Sequence, residues 1–181
     1  MSDDVTYVLD NVMLTNESIQ RRVSEIASQI RDDYKGEEIV LIGVLKGAAI
    51  FLSDLARNLG PDADVIIDFI AVSSYGSSST SSGVVKIVKD MDTFAKDKNL
   101  ILVEDIMDTG LTLAYLREMF LARAPKSFKT CVLLEKPERK KVDSVLDYKG
   151  FTIPDKFVVG YGLDYAGKWR HLPDIWCVAA K

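Results

Sequence analysis

Continuous apolar runs recur along the chain and are rich in β-branched residues. Four of them have the length of a strand and few polar positions, as expected of strands covered on both faces of a parallel sheet. These runs are EIVLIGVL (38–45), DVIIDFIAVSS (64–74), LILVED (100–105) and KTCVLLE (129–135). Similar patterns predict a polar-edged strand in VVKIVKD (84–90) and strands in KFVVGYGLDY (156–165) and DIWCVAA (174–180).

Three segments between these runs have the apolar spacing of amphipathic helices. The first begins at Thr15 or Asn16, both of which are residue types that cap helices, and continues until Gly36. The second covers about residues 48–59, and the third ends near Pro125. The apolar stripes of the first and third helices are Ile19, Val23, Ile26 and Ile30, and Leu113, Leu116 and Phe120. Strands that alternate with helices predict a parallel α/β sheet with ligands at the carboxyl ends of its strands.

Composition restricts the class of protein. The chain has 181 residues, 48% of them apolar and 28% charged, and we find neither an internal repeat nor an interdomain linker, so residues 1–181 are expected to form a single domain. A net charge of −4 provides no global attraction for nucleic acid or an anionic membrane. Any phosphate must therefore be bound locally, by a few groups.

The cysteines and the N-terminus indicate a cytoplasmic protein. Cys131 and Cys177 lie in apolar runs and are expected to be core residues in a reducing compartment. The opening MSDDVTYVLD has no secretory signal pattern, and no apolar run approaches the ~20 residues that span a bilayer. One histidine, His171, is too few for a conventional zinc spacing.

The stretch LILVEDIMDTGLTL (100–113) joins an apolar strand to three carboxylates and a small polar turn. Thr109, Gly110 and Thr112 fall where the following helix begins, and free backbone amides at a helix start, with the helix dipole, bind anions. Glycine also lets a phosphate oxygen approach the main chain closely. The turn therefore predicts a phosphate site that has no lysine.

The three carboxylates have a functional and a structural interpretation. Glu104 and Asp105 are suited to the hydroxyls of a sugar diol or to Mg²⁺, which prefers oxygen ligands. Asp108, between sugar and phosphate, is placed to exchange a proton with an incoming base. The alternative is an ordinary acidic loop in which Asp108 is the N-cap of the next helix.

The whole string resembles the phosphoribosyl-pyrophosphate signature of the type I phosphoribosyltransferases. Further segments narrow the resemblance to the hypoxanthine-guanine phosphoribosyltransferases, in that family's order and over nearly the whole chain. These segments are VLKGAAIF (44–51), SSYGSSSTSSG (73–83), CVLLEKPERK (131–140) and IPDKFVVGYGLDYAGKWRHLP (153–173). The resemblance implies a parallel-sheet fold with flanking helices, a mobile lid loop and a small hood formed by the chain termini.

It also implies an activity: hypoxanthine or guanine and phosphoribosyl pyrophosphate would be converted to IMP or GMP and pyrophosphate, with Mg²⁺, in purine salvage. A homodimer or homotetramer is expected on the same ground. The sequence leaves other functions open, namely a phosphoribosyltransferase-like regulator that binds nucleic acid, a phospho-acceptor switch, and a pyrimidine or adenine enzyme.

The resemblance assigns roles to individual residues. Glu104 and Asp105 would bind the ribose hydroxyls, and Asp108 would exchange a proton with purine N7. The 5′-phosphate would be held by Asp108, Thr109, Gly110, Leu111 and Thr112, and the pyrophosphate by Lys46, Gly47 and Arg170. Leu111 stands where several relatives carry lysine or asparagine, a position that acts mainly through its backbone amide. One Mg²⁺ would be held by Glu104 and Asp105, and a second Mg²⁺ would be held by Asp164 through water.

The purine would be bound by Lys136, Phe157, Val158 and Asp164. Lys136 would donate to the 6-oxo group, which selects against adenine because adenine presents a donor there. Phe157 would stack on the base, and Val158 would contact the base edge through its main chain. From the residues alone, the favoured interpretations are that Lys136 is one cation of the basic run KPERKK and that Phe157 is a core strand residue.

Ser74 and Tyr75 would begin the catalytic lid, whose remainder is the serine-rich stretch YGSSSTSSG (75–83). A lid has a clear purpose, because the activated sugar must meet the purine rather than water. Composition alone is also typical of a disordered hairpin tip.

Overall fold

The structure is a computed structural model and describes residues 7–74 and 85–181. Within these ranges the strands are β1 Tyr7–Leu14, β2 Ile39–Leu45, β3 Val65–Ser74, β4 Val85–Lys89, β5 Asn99–Met107, β6 Ser127–Glu135, β7 Tyr148–Thr152, β8 Val158–Val159 and β9 Ile175–Ala180. The α-helices are α1 Asn16–Asp33, α2 Ala49–Asn58 and α3 Leu111–Leu121, and one 3₁₀ turn covers Pro137–Arg139. No helix of the described residues is long and apolar enough to cross a membrane.

The larger sheet has six strands in the order β4-β3-β2-β5-β6-β7. The strand pairs from β3 to β7 are parallel, which confirms the predicted sheet. The edge strand β4 differs, because it pairs antiparallel to β3. The parallel strands β2, β5 and β6 end at one edge of the sheet, and each is followed there by a loop of the candidate site.

The apolar runs are continuous because both faces of the sheet are covered. Successive side chains of a strand point to opposite faces. Leu41 and Ile101 therefore join the cluster under α1 and α2, whereas Ile42 and Leu102 join the cluster under α3. This arrangement confirms the predicted strands in β2 and β5 and the stripe Ile19, Val23, Ile26 and Ile30 of α1, whose N-cap is Thr15.

A second sheet, β1-β9-β8, is antiparallel and joins strands from both ends of the chain. Its residues Ile175 and Cys177 belong to the same apolar cluster as Leu41, so one core extends under both sheets. The prediction of a strand over 156–165 was wrong beyond β8. Gly160 and Gly162 have φ of 98° and 100°, and this left-handed backbone turns the chain instead of extending it.

Candidate active site

The acidic turn follows β5 and forms the first part of the site. Helix α3 begins at Leu111, and its N-cap is Gly110 with φ of 81°. The interpretation of Asp108 as N-cap of this helix was therefore wrong, and its carboxylate does not cap α3. A cavity of about 80 Å³ lies over the turn. Its lining includes Glu104, Asp108, Thr109, Gly110 and Thr112.

The first turn of α3 has the geometry of an anion site. Ala114 N donates an intrahelical hydrogen bond to Gly110 O at 2.9 Å. The amides that precede Ala114 at the start of the helix have no intrahelical acceptor. Leu111 N has only a long contact, 3.5 Å, to Thr109 Oγ1. These amides lie at the N-terminal end of a helix, where the helix dipole favours negative charge, and the cavity is lined by residues of the same turn.

A neighbouring loop after β6 supports this turn and was not foreseen from the sequence. Lys141 N donates to Thr109 O at 3.0 Å, and Ser144 Oγ donates to Gly110 O at 3.4 Å. A Cβ atom on Gly110 would approach the carbonyl oxygen of Val142 to 3.2 Å. A side chain here would force the loop to move by a few tenths of an ångström, and the positive φ of Gly110 also favours glycine.

Glu104 and Asp105 lie on β5 and are partly buried. Glu104 Oε2 is buried and accepts no hydrogen bond from the described residues. Burial, and secondarily the adjacent Asp105 carboxylate, raise the pKa of Glu104 well above its usual range. Burial also raises the pKa of Asp105, although the amide of Ile106 donates to Asp105 Oδ1 at 2.9 Å. Such a pair gains stabilisation from cations or hydroxyl donors.

A larger pocket of about 290 Å³ adjoins the turn. It brings together six of the predicted residues, and Asp108 lines both this pocket and the smaller cavity. The six are Asp105, Asp108, Lys136, Phe157, Val158 and Asp164. They come from β5, from the end of β6 and from the second sheet, so only the tertiary fold assembles them.

Lys136 contributes a charged side chain to this pocket, and Phe157 contributes an apolar aromatic ring. Lys136 is 5% exposed, and its Nζ lies 3.6 Å from Asp155 Oδ1. Its backbone amide donates to Met107 O at 3.0 Å, which fixes Lys136 beside the acidic turn. Phe157 is 50% exposed and packs edge-on against Tyr165, with ring centroids 5.8 Å apart. A half-exposed aromatic ring can stack on a planar ligand, and a buried ammonium can donate a hydrogen bond to a polar group of the same ligand.

Arg139 is a site residue that the sequence analysis did not identify. It lines the same pocket, and its Nε lies 2.8 Å from Asp108 Oδ1. This contact is close enough for an ion pair but does not have the alignment of a hydrogen bond, since Asp108 Oδ1 accepts none from the described residues. In the sequence Arg139 is one cation of the basic run KPERKK, and no feature of the run distinguishes it.

The predicted pyrophosphate residues lie beside Asp105. The Leu45–Lys46 peptide bond is cis, and the next residue, Gly47, packs against the Asp105 carboxylate so closely that a Cβ atom would overlap it. Arg170 donates from Nη1 to Gly162 O at 2.5 Å and pairs through Nη2 with Asp164 Oδ1 at 2.6 Å. The geometry thus brings Gly47, Asp105, Asp164 and Arg170 into one neighbourhood.

The two predicted lid residues, Ser74 and Tyr75, lie at the end of the first described range and just beyond it. Ser74 is the last residue of β3, and Tyr75 lies outside the described residues, so the structure does not describe the predicted lid.

Comparison with known proteins identifies the family. The model of the phosphoribosyl transferase domain matches residues 12–166, most of the chain. The chain belongs to the phosphoribosyltransferase family. Both sheets and all three helices in the described part of this phosphoribosyltransferase lie wholly or partly in the matched range.

Individual relatives narrow the similarity to the subgroup that the sequence motifs predicted. The chain is 49% identical to the hypoxanthine-guanine phosphoribosyltransferase of Aquifex aeolicus over 92% of this chain and 93% of the relative. A crystal structure of a hypoxanthine-guanine phosphoribosyltransferase from Bacillus anthracis matches with a TM-score of 0.89 and 47% identity, over 97% and 100% of the two chains. A hypoxanthine phosphoribosyltransferase structure from Staphylococcus aureus matches with a TM-score of 0.90 and 42% identity, over 94% and 92%.

The residues of this phosphoribosyltransferase are compatible with Mg²⁺. Among the described residues no three metal-ligating side chains lie together. Mg²⁺ does not require such a cage, because it keeps several waters and often uses one or two carboxylates together with substrate phosphates. Glu104 Oε2, which is buried without a hydrogen-bond partner among the described residues, is the hard oxygen donor that this mode of binding needs.

Proposed function

We propose that this phosphoribosyltransferase converts hypoxanthine or guanine and phosphoribosyl pyrophosphate to IMP or GMP and pyrophosphate, and that it acts in purine salvage. One observation carries the proposal: Asp108 lies on the wall shared by the anion cavity and the pocket of Lys136 and Phe157. A nucleotide has its phosphate and its base on opposite sides of the ribose, so adjacent cavities of these two characters match its two ends. The names of the relatives agree with this function.

The anion cavity is the proposed site of the ribose 5-phosphate. The backbone of residues 108–112 would bind the phosphate, with the hydroxyls of Thr109 and Thr112 as further donors. Leu111 contributes its amide, which a leucine provides as well as any other residue. Glu104 and Asp105 would accept from the ribose hydroxyls, and such donors would offset the cost of burying two adjacent carboxylates.

The pyrophosphate would be held between the loop of Lys46 and Gly47 and the guanidinium of Arg170. Glu104 and Asp105 would hold one Mg²⁺, and Asp164 would hold a second through water. When bound, the metal neutralises charge on the leaving pyrophosphate. Arg170 already pairs with Asp164, so a cation and a carboxylate are both available where the phosphates and the metal would lie.

The purine would occupy the larger pocket. Phe157 would stack on its face, a contact worth ~1–3 kcal/mol at other base-stacking sites. The Lys136 ammonium would donate to the 6-oxo group, and Val158 would contact the base edge through its main chain. Adenine would leave this buried ammonium opposite an amino group, which is the physical basis of the proposed selectivity.

The reaction would pass through a ribosyl cation. Departure of pyrophosphate from C1 develops oxocarbenium character on the ribose, as in glycoside cleavage. Purine N9 then attacks C1. Asp108 would accept the proton that purine N7 loses as the base becomes a nucleoside, and would return it in the reverse reaction. Lys46 and Arg170 would stabilise the negative charge on the departing pyrophosphate.

An assay with each base in turn tests this function. The purified protein is incubated with phosphoribosyl pyrophosphate, Mg²⁺ and hypoxanthine, guanine, xanthine or adenine, and the nucleotide is quantified. We expect IMP and GMP, and little AMP. Failure with both hypoxanthine and guanine would refute the proposal, and AMP as main product would refute the role of Lys136.

Three further properties belong to the proposal. Ser74 and Tyr75 would begin a lid over the reacting sugar, the protein would act in the cytoplasm, and it would form a homodimer or homotetramer. Its partners would be small molecules, not nucleic acid or a membrane. Light scattering of the purified protein determines the subunit count, and a monomer would contradict the expected assembly.

A further inference from the structure

The turn at residues 160–162 has an unusual backbone. Gly160, Tyr161 and Gly162 have successive φ values of 98°, 50° and 100°. A tyrosine rarely adopts a positive φ. Local backbone preferences do not hold three consecutive residues at positive φ in a single conformation. Contacts with the rest of the protein must therefore hold this turn.

The turn fixes Arg170 to the opposite loop of the site. Gly162 N donates to Arg170 O at 3.0 Å, and the Arg170 guanidinium donates back to Gly162 O. On its other side Gly162 packs against the carbonyl group of Gly47, where a Cβ atom would overlap the oxygen. The turn is thus the spacer between Arg170 and the loop of Lys46 and Gly47.

Tyr161 provides the polar anchor of this turn. Its side chain is 2% exposed, and its hydroxyl donates to Asp54 Oδ2 at 2.6 Å. Asp54 lies on α2, the helix that begins at Ala49, two residues after Gly47. The same oxygen accepts from Gln20 Nε2 of α1 at 2.7 Å, and the other oxygen pairs with Arg57. The turn therefore contacts the Lys46–Gly47 loop through Gly162 and contacts helix α2, which follows that loop, through Tyr161.

The protonation states of Asp54 and Tyr161 favour the hydrogen bond between them. Burial raises the pKa of Asp54, but the donors Tyr161, Gln20 and Arg57 outweigh burial and hold it below its usual value. Burial and the Asp54 carboxylate raise the pKa of Tyr161, so the phenol remains a donor.

We propose that Tyr161 is a positioning residue for pyrophosphate binding, whose hydroxyl bond to Asp54 fixes the spacing between Arg170 and the Lys46–Gly47 loop. The inference rests on the proposed function, because these two elements are taken there as the two sides of the pyrophosphate site. Tyr161 itself would not contact substrate. The purine pocket does not include it, so its effect is restricted to the sugar pyrophosphate.

The substitution Tyr161→Phe removes the hydroxyl and retains the ring. Tyr148→Phe is a matched control, because the Tyr148 hydroxyl also donates to a carboxylate, Asp33 Oδ2, at 2.6 Å from a buried side chain. Tyr148 begins the edge strand β7, where it pairs with Cys131 in the middle of β6, and it lines neither cavity of the site. Each variant loses the hydrogen bond that its hydroxyl donates to a carboxylate and one that the hydroxyl accepts, from Gln20 Nε2 at 3.5 Å in Tyr161 and from Lys129 Nζ at 3.0 Å in Tyr148. Thermal unfolding measures whether the two variants lose similar stability.

Steady-state kinetics then separate positioning from stability. For Tyr161→Phe we expect KM for phosphoribosyl pyrophosphate and the inhibition constant of Mg²⁺-pyrophosphate to rise about 5- to 10-fold, with KM for the base changed less than about 2-fold. For Tyr148→Phe all three constants should stay near wild type. Unchanged pyrophosphate constants in Tyr161→Phe, or equal changes in both variants, would overturn the inference. An inactive wild-type protein would instead refute the proposed function.

Discussion

Arg139 Nε lies 2.8 Å from Asp108 Oδ1, and Arg139 Nη1 lies 3.6 Å from Asp155 Oδ1. Lys136 Nζ is also 3.6 Å from that oxygen of Asp155. Two cations and two carboxylates therefore balance one another, and three of the four (Asp108, Lys136 and Arg139) line the proposed purine pocket. Asp108 is not an isolated acid, and its environment determines what its substitution does.

Asp108→Asn should lower kcat about 10²- to 10⁴-fold, the usual contribution of a positioned acid or base. Binding of phosphoribosyl pyrophosphate should not weaken, since loss of the carboxylate leaves Arg139 as an excess cation near a polyanion. Steady-state kinetics and calorimetric titration measure the two effects. Asp143→Asn, at an exposed ion pair with Lys140, is the control. Unchanged turnover in Asp108→Asn would remove the proton-transfer role.

Lys136→Met should raise KM for hypoxanthine by about 10-fold or more, because methionine fills the buried space but donates no hydrogen bond to the 6-oxo group. KM for phosphoribosyl pyrophosphate should change little. Lys140→Met is the matched control, since Lys140 also has one carboxylate partner but does not line the pocket. Equal hypoxanthine kinetics before and after the Lys136 change would contradict the assignment.

Gly110→Ala should weaken IMP binding about 10-fold. The new Cβ would press on Val142 and displace the amides of the turn. Alanine at positive φ also costs stability, about 1 kcal/mol. Gly60→Ala separates the two effects, because Gly60 has nearly the same φ, 80°, and open space around it. Calorimetry should show weaker IMP binding for Gly110→Ala alone. A similar loss in Gly60→Ala would argue against the phosphate site.

Asp54 should stabilise the fold in a pH-dependent manner. Its pKa in the folded state is below the usual 3.8, so its contribution is present above that pH and is lost as the pH falls through the folded pKa. Asp54→Asn should lower the free energy of unfolding at pH 7 by about 2 kcal/mol, as for other hydrogen-bonded buried charges. Urea unfolding between pH 3 and 7 should show the deficit shrinking in acid.

The exposed Asp62 is the comparison for that series. Asp62→Asn should produce only a small difference in unfolding free energy at pH 7, as is usual for exposed substitutions. A deficit of Asp54→Asn that stayed constant down to pH 3 would contradict the proposed hydrogen-bonded carboxylate.

The sequence predicted the elements whose burial is simplest. Strands β2 and β5 are covered on both faces, so nearly every position is apolar, and α1 shows its stripe because one face alone is buried. Strands β1 and β7 were not predicted. In β1 the exposed and partly buried positions do not alternate regularly, and β7 has only five residues, one of them Gly150. Short edge strands are defined mainly by their neighbours.

The acidic turn could be predicted from the sequence because its chemical groups form a contiguous motif. The amides, Gly110 and the acids all lie within 14 consecutive residues. Other parts of the site join distant segments. Arg139 meets Asp108 from the loop after the next strand, and Tyr161 reaches Asp54 across 107 positions of the chain. No periodicity or spacing encodes such a pair.

The sequence by itself thus determined the parallel sheet, the position of the acidic turn and the family resemblance, since each depends on residues that are close along the chain. Tertiary structure alone decided which charges face one another, which glycines are needed for contact, and that Asp108 belongs to both cavities. The reason is physical: hydrophobic patterning and helix capping act locally, whereas ion pairs and close packing depend on distances that exist only after the chain has folded.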